Sequence, residues 1–181
     1  MPTATPTPPP DSVLLAPMNY QAQTLNNCGP ASIAIILGYY DHWIAQQKVS
    51  EEVDPGPSPC QIADYVHRYD LKARPYWSPR SVEPVRLLLA NGIPVIANQL
   101  LEEQSHIGHY RVVKGYDDAT EVFIIDDPLQ RKGPDMRMTY EAFEALSNAG
   151  AFIPVYHPNK DALVRSMMRE LYVHEFTYCR P

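Results

Sequence analysis

Cysteine is scarce in this sequence: three residues in 181, at positions 28, 60 and 179. The odd count leaves at least one thiol without a partner inside the chain. None stands in a CxxC or Cys/His spacing, so the zinc signature is missing. Basic residues are also few. Fifteen Lys and Arg against 21 Asp and Glu give a formal charge of −6, and no Lys/Arg run occurs. A nucleic-acid or anionic-membrane partner would need such a footprint. Long apolar runs are absent too. The longest, Ala31 to Leu37, falls well short of the ~20 residues that cross a bilayer and fits a buried helix face. No Walker A glycine loop is present. Nothing in the pattern asks for a metal or an organic cofactor.

What is present is ordinary for a soluble domain. Hydrophobic residues make up 45% and charged residues 20%, and the length suits one domain with one core. Proline is the exception, with 19 residues. Met1 to Asp11 reads MPTATPTPPPD, a composition that favours extended polyproline II and cannot pack. Residues 1–11 are therefore expected to be the tail of a linker, which points to an extracellular or cell-envelope location and a tethered protein. The alternative is a disordered terminus of a cytosolic protein. Cys60 and Cys179 could pair, but two separate thiols are the favoured reading, because a cysteine often serves as a small buried hydrophobe.

From Gln21 the chain reads QAQTLNNCGPASIAIILGYYDHW over residues 21–43. Apolar residues recur at mostly helical spacing, and Pro30 suits a first turn. The expectation is a helix from about Cys28 to Gln46. A second helix is expected from Ser58-Pro59 to Tyr69, a short strand over Leu71–Trp77, and a third helix capped by Ser81 and stopped at Asn91-Gly92. Ile93–Leu100 is a buried strand. HYRVVKGY and EVFIID, joined by DDAT, read as a β-hairpin. DPLQRKGPD, residues 127–135, is a loop. Thr139 caps a helix ending at Gly150, Ala151–Pro158 is a last strand, and Lys160–Leu171 a terminal helix. Helices first and strands later argue for an α+β fold with an antiparallel sheet. A globular domain over 12–158 is expected, with 159–181 an extension of unassigned role.

Cys28 falls at the N-terminal end of the first helix, where unpaired N–H groups and the dipole favour a thiolate. Gly29 is read as leaving open space beside the sulfur. Gln23, five residues earlier, could donate to an oxyanion together with the Cys28 N–H; Gln21 is the competitor. His109, at the start of the hairpin, is a candidate base, and His106 its rival. Asp127 or Asp126 could orient the imidazole. Period-2 alternation sends these two to opposite sides, so only one can serve. His42, His67, His157 and His174 have no comparable context.

QTLNNCGPASIAIIL, then GIPVI, GHYRVVKGYDD and FIIDDP, together resemble the stand-alone relatives of the bacteriocin-leader-processing peptidases. Those are papain-like enzymes of cysteine peptidase family thirty-nine. The likeness runs from Ala22 to His157. It implies a papain-like fold with N-terminal helices packed on an antiparallel sheet. By position it makes Cys28 the nucleophile, His109 the base, Asp127 the orienting acid and Gln23 the oxyanion-hole glutamine. The spacing from Gln23 to Cys28 is one residue shorter than is common in papain-like enzymes. The implied activity is cleavage of a peptide or protein substrate through a thioester, with no cofactor. A catalytically silent binding module, or an amidase or acyltransferase using the same side chains, is the alternative. The transporter-fused members carry membrane and ATP-binding domains that this sequence lacks, so bacteriocin export is not implied.

Overall fold

The protein is described from a computed structural model, which covers residues 9–147, 151–176 and Cys179. Residues 1–8 of the expected linker lie outside the described residues, and so does the end of the expected helix at Gly150. The first long element is α1 (Cys28–Tyr39), followed by α2 (Gln46–Ser50) and α3 (Pro59–Val66). Every residue of α1 from Cys28 to Gly38 is buried, as expected of a helix apolar on all sides. It does not continue to Gln46. Asp41 takes φ 62°, and the N–H groups of Asp41 and His42 return to the carbonyls of Gly38 and Leu37. That is a Schellman closure with an aspartate at the left-handed position usually held by glycine. Trp43, placed by periodicity on the apolar face, lies beyond this stop and is 66% exposed.

Ser58 caps α3 as expected. Its side chain accepts from the Gln61 N–H, and the Gln61 side chain accepts from the Ser58 N–H. This is a capping box. Ser81 behaves differently. Its hydroxyl makes no cap bond to α4 (Val82–Ala90); instead the Val82 N–H donates to the Glu144 carboxylate at 2.7 Å. The cap comes from a helix 62 residues away, which no local signal could announce.

The sheet is antiparallel throughout its described pairings. Strands β3 (Tyr76–Trp77), β4 (Val95–Leu100), β5 (Gly108–Asp117), β6 (Val122–Asp127), β7 (Gly133–Thr139), β8 (Phe152–Tyr156) and β9 (His174–Glu175) lie in the order β7-β6-β5-β4-β8-β3-β9. Two short strands sit off this path. β1 (Ser12–Leu14) pairs with the end of β5, and β2 (Lys72–Ala73) with β8. The expected hairpin is β5–β6. Part of the expected loop 127–135 is instead the start of β7, whose Asp135 and Arg137 are exposed while Met136 and Met138 pack on the core. α5 (Tyr140–Leu146) is capped by Thr139 as expected.

Alternation along the central strands feeds two cores. Ile96, Tyr110, Val112, Ile153 and Val155 pack with α1 and α3. Val95, Ala97, Val113, Tyr116, Phe152 and Tyr156 pack with α4, α5 and α6 (Asp161–Glu170). The sheet is thus covered on both faces, which is why β5 is buried almost end to end. No helix among the described residues is long and apolar enough to cross a membrane.

The two distal cysteines form a disulfide, Cys60–Cys179, across 119 residues; the expectation of separate thiols fails. The partners are the second residue of α3 and a residue beyond β9, brought together only by the sheet. Cys28 is the free cysteine. Replacing both Cys60 and Cys179 by Ser is expected to lower stability by about 2–5 kcal/mol through the freed unfolded chain. Denaturant unfolding of wild type and double variant, with and without reductant, measures it; reductant should affect only the wild type.

Candidate active site

The site forms where the tip of α1 meets the start of β5. Cys28 is the first residue of α1 and is only 9% exposed. Burial is the largest influence on its thiol and opposes ionisation. Hydrogen bonds from His109, from the Tyr110 N–H and from the Gly29 N–H, with the charge of His109, outweigh it and hold the thiol below its ordinary range. Gly29 does not open space for an approaching carbonyl. A Cβ there would stand 2.5 Å from Pro57 Cδ and Cγ, so the glycine permits close packing of the 51–58 segment on the helix tip. The Tyr110 hydroxyl fastens that segment by donating to the Pro57 carbonyl at 2.6 Å.

His109 is 3% exposed and its Nε2 lies 2.8 Å from Asp127 Oδ1. That leaves Nδ1 as the ring nitrogen available to the thiol. Burial is again the largest influence and favours the neutral ring. Hydrogen bonds to Asp127 and Cys28 and the carboxylate charge overcome it, and the His109 pKa is raised. Asp127 is fully buried, and burial alone would raise its pKa. His109, Arg111 and the Leu129 N–H reverse this and hold the carboxyl below the usual range. The three shifts agree in direction: thiol down, imidazole up, carboxyl down. Each favours a thiolate beside an imidazolium backed by a carboxylate.

The aspartate alternatives separate as the alternation required. Asp127 faces His109, while Asp126 pairs with Lys114 at 2.6 Å and accepts from the Asp135 N–H. Lys114 sits at a register shift between β5 and β6, and alternation places it, like Asp126, on the side away from His109. His106 is exposed in the turn before β5 and does not reach the cleft. Gln21 is spent on structure: its amide donates to the Ile44 carbonyl and accepts from the Gln46 N–H.

Gln23 lines the same cleft as Cys28 and His109. Its N–H is anchored to the Pro128 carbonyl at 2.7 Å, while its buried Oε1 has no partner. The segment carrying it is held by Gln46, a buried residue that accepts from the Thr24 N–H and donates to the Ala22 carbonyl. Sequence reading missed Gln46, since nothing local marks it. It also missed Arg111, for which a signal existed: in a strand His109 and Arg111 share a face, and a cation two residues from a candidate base is out of place in an apolar run.

The cleft encloses about 560 Å³. Besides the residues above it is lined by Leu25, Leu101, Ile107 and Leu129, and among the described residues that line it His109 is the sole ionisable side chain apart from the thiol. Leu25 and Ile107 stand at its lips, 88% and 63% exposed. Among the described residues no group of His, Cys, Asp and Glu side chains is arranged to hold a metal.

Known structures share this fold at low identity. A protein designated a C39-like peptidase from Bacillus anthracis superposes with a TM-score of 0.65 and 18% identity, over 80% of this chain and 98% of that one. A double-glycine-motif protease from an AMS/PCAT transporter, solved in complex with the leader peptide, gives 0.59 and 22% over 77% and 92%. Xylellain, a cysteine protease from Xylella fastidiosa, gives 0.57 and 12% over 82% and 86%. No curated protein matches. The sequence profile of the peptidase C39-like family matches residues 14–160, most of the chain, and this protein belongs to that family.

Proposed function

We propose that this protein is a thiol-dependent amide hydrolase acting on peptide bonds, with Cys28 as nucleophile. The observation that carries this is the convergence of Cys28, at a helix N-terminus, and His109, backed by Asp127 at 2.8 Å, on one cleft. The thiolate sulfur attacks the carbonyl carbon, and the carbonyl π electrons move to oxygen. The Cys28 N–H and the Gln23 side-chain NH2 stabilise that oxyanion; the place of Gln23 in the same cleft as Cys28 and His109 supports the second donor. As the C–N bond breaks, imidazolium His109 gives its proton to the leaving amine. Neutral His109 then takes a proton from water, which attacks the thioester and releases the carboxylate and the thiolate. Asp127 keeps the ring oriented and stabilises its charged form throughout.

Peptide substrates suit the cleft, whose lining apart from Cys28 and His109 is uncharged. The apolar lips Leu25 and Ile107 favour apolar side chains near the scissile bond. The resemblance of the fold to a protease solved with a leader peptide supports an extended peptide as ligand. We further propose an extracytoplasmic location. The Cys60–Cys179 disulfide supports it, because structural disulfides persist in oxidising compartments. Thiol labelling of the protein from rapidly acidified cells should find Cys28 alone reactive under denaturing conditions; free Cys60 and Cys179 would overturn the location.

Iodoacetamide should alkylate Cys28 at neutral pH faster than a free thiol of ordinary pKa ~8.5, and Cys28→Ala should abolish both labelling and peptide cleavage. Ordinary thiol kinetics at Cys28 would defeat the proposal. His109→Ala should lower kcat/KM by about 10²–10⁴-fold. The pH profile of kcat/KM should be bell-shaped. Its acid limb, loss of the thiolate, should lie below ~8.5 because the Cys28 pKa is lowered. Its alkaline limb, loss of the imidazolium, should lie above ~6.5 because the His109 pKa is raised.

A further inference from the structure

Arg111 is a guanidinium 2% exposed inside a domain whose other buried cation, Lys114, serves Asp126. The proposed reaction does not use it, yet all three of its nitrogens donate. Nε donates to Asp127 Oδ2 at 2.9 Å, the oxygen that His109 leaves free. Nη1 donates to Gln99 Oε1 at 3.2 Å and to the Leu100 carbonyl at 3.1 Å, and Nη2 to the Leu101 carbonyl at 3.0 Å. Gln99 is itself buried and donates to the Phe143 carbonyl and the Ser147 hydroxyl of α5 and its end. Leu101 begins the turn that walls the cleft, and its N–H closes that turn on the Ile107 carbonyl at 2.8 Å.

We infer that Arg111 is a positioning residue of this site: its planar fork fixes the second oxygen of Asp127, so the first points at His109, and ties that carboxylate to the cleft wall at Leu100 and Leu101. The inference rests on the proposed chemistry of Cys28 and His109. A carboxylate with one hydrogen-bonded oxygen can rotate about its terminal torsion; with Nε on one oxygen and His109 and the Leu129 N–H on the other, it cannot. Only a guanidinium offers donors in a rigid plane to a carboxylate and three further acceptors at once. An amine is a point charge and would have to abandon some of them.

Arg111 also acts on charge. Asp127 is shared between two cations, so the field it exerts on His109 is partly cancelled. The groups facing His109 are Cys28 from α1, Asp127 from β6 and Arg111 from its own strand. Tyr20, from the N-terminal segment, donates to the Asp127 carbonyl. Of these only Arg111 opposes the protonated ring by its charge. An imidazolium held too tightly by its carboxylate would be a poor acid toward the leaving amine. Arg111 moderates that grip while keeping the geometry.

Two variants keep a donor in the cavity. Arg111→Gln is neutral, and Arg111→Lys keeps the charge without the fork. In folded protein, checked by near-UV circular dichroism, the His109 midpoint is read by NMR titration and Leu101 N–H exchange by mass spectrometry or NMR. Arg111→Gln should raise the His109 midpoint, because it removes a positive charge that opposes the protonated ring, while Arg111→Lys should leave it at the wild-type value. Both should speed exchange at Leu101, because both lose the fork to the wall. An unmoved midpoint in folded Arg111→Gln, or unchanged Leu101 exchange in both variants, overturns the inference. Should Arg111→Gln not fold, a midpoint in Arg111→Lys displaced upward from the wild-type value would overturn it, since the charge is still there. Wild-type alkylation of Cys28 is measured in parallel. Slow alkylation there refutes the hydrolase proposal itself, whereas fast alkylation with an unmoved midpoint refutes only the role of Arg111.

Discussion

Burial of the α1 tip is the constraint on which the site depends. A helix apolar on all sides must sit between the sheet and its flanking segments, and that buries Cys28 along with the aliphatic residues behind it. A buried thiol resists ionisation, so the reactive form exists only if polar partners replace the lost water. They arrive from β5: His109 by its ring and Tyr110 by its N–H. The strand that packs the helix through Tyr110 and Val112 on one face presents His109 and Arg111 on the other. Packing and chemistry therefore use alternate residues of one strand, and neither can shift without the other.

The same logic extends outward. His109 needs Asp127, and Asp127 at zero exposure needs more than one donor, because a buried carboxylate with spare lone pairs is costly. Arg111 and the Leu129 N–H supply the rest. Next to it, Asp126 is buried with Lys114. Two consecutive aspartates thus carry two separate ion pairs on opposite sides of β6. Buried pairs of this kind do little for stability compared with apolar replacements. Here they fix where two carboxylates point, and only one of them points at the histidine.

Much of this was legible in the sequence because the elements are locally consistent. The apolar run after Cys28, the Ser58-Pro59 opening with Gln61, the Thr139 cap and the β5–β6 hairpin each follow from short-range rules, and each is present. Cys28, His109 and Asp127 were nameable because they stand at ends of such elements, and Asp127 could be narrowed to one of two by alternation alone. Illegible were features whose partner is remote. The Ser81 position is capped by Glu144 rather than by itself, β7 is an edge strand whose outer face is polar, and α1 stops at Asp41 on a left-handed aspartate instead of running on.

By itself, then, the sequence determined which segments could be helix or strand, that the chain is α+β, and which few side chains have the chemistry for a thiol hydrolase, since propensity, capping and alternation act over a handful of residues. Only the tertiary structure decided that Cys60 meets Cys179, that Asp127 rather than Asp126 faces His109, that Gly29 lies under Pro57, and that Arg111 joins the carboxylate to the cleft wall. Those are contacts between residues as much as 119 positions apart. They are fixed by how the sheet closes over its two cores, a property of the whole chain that no local pattern encodes.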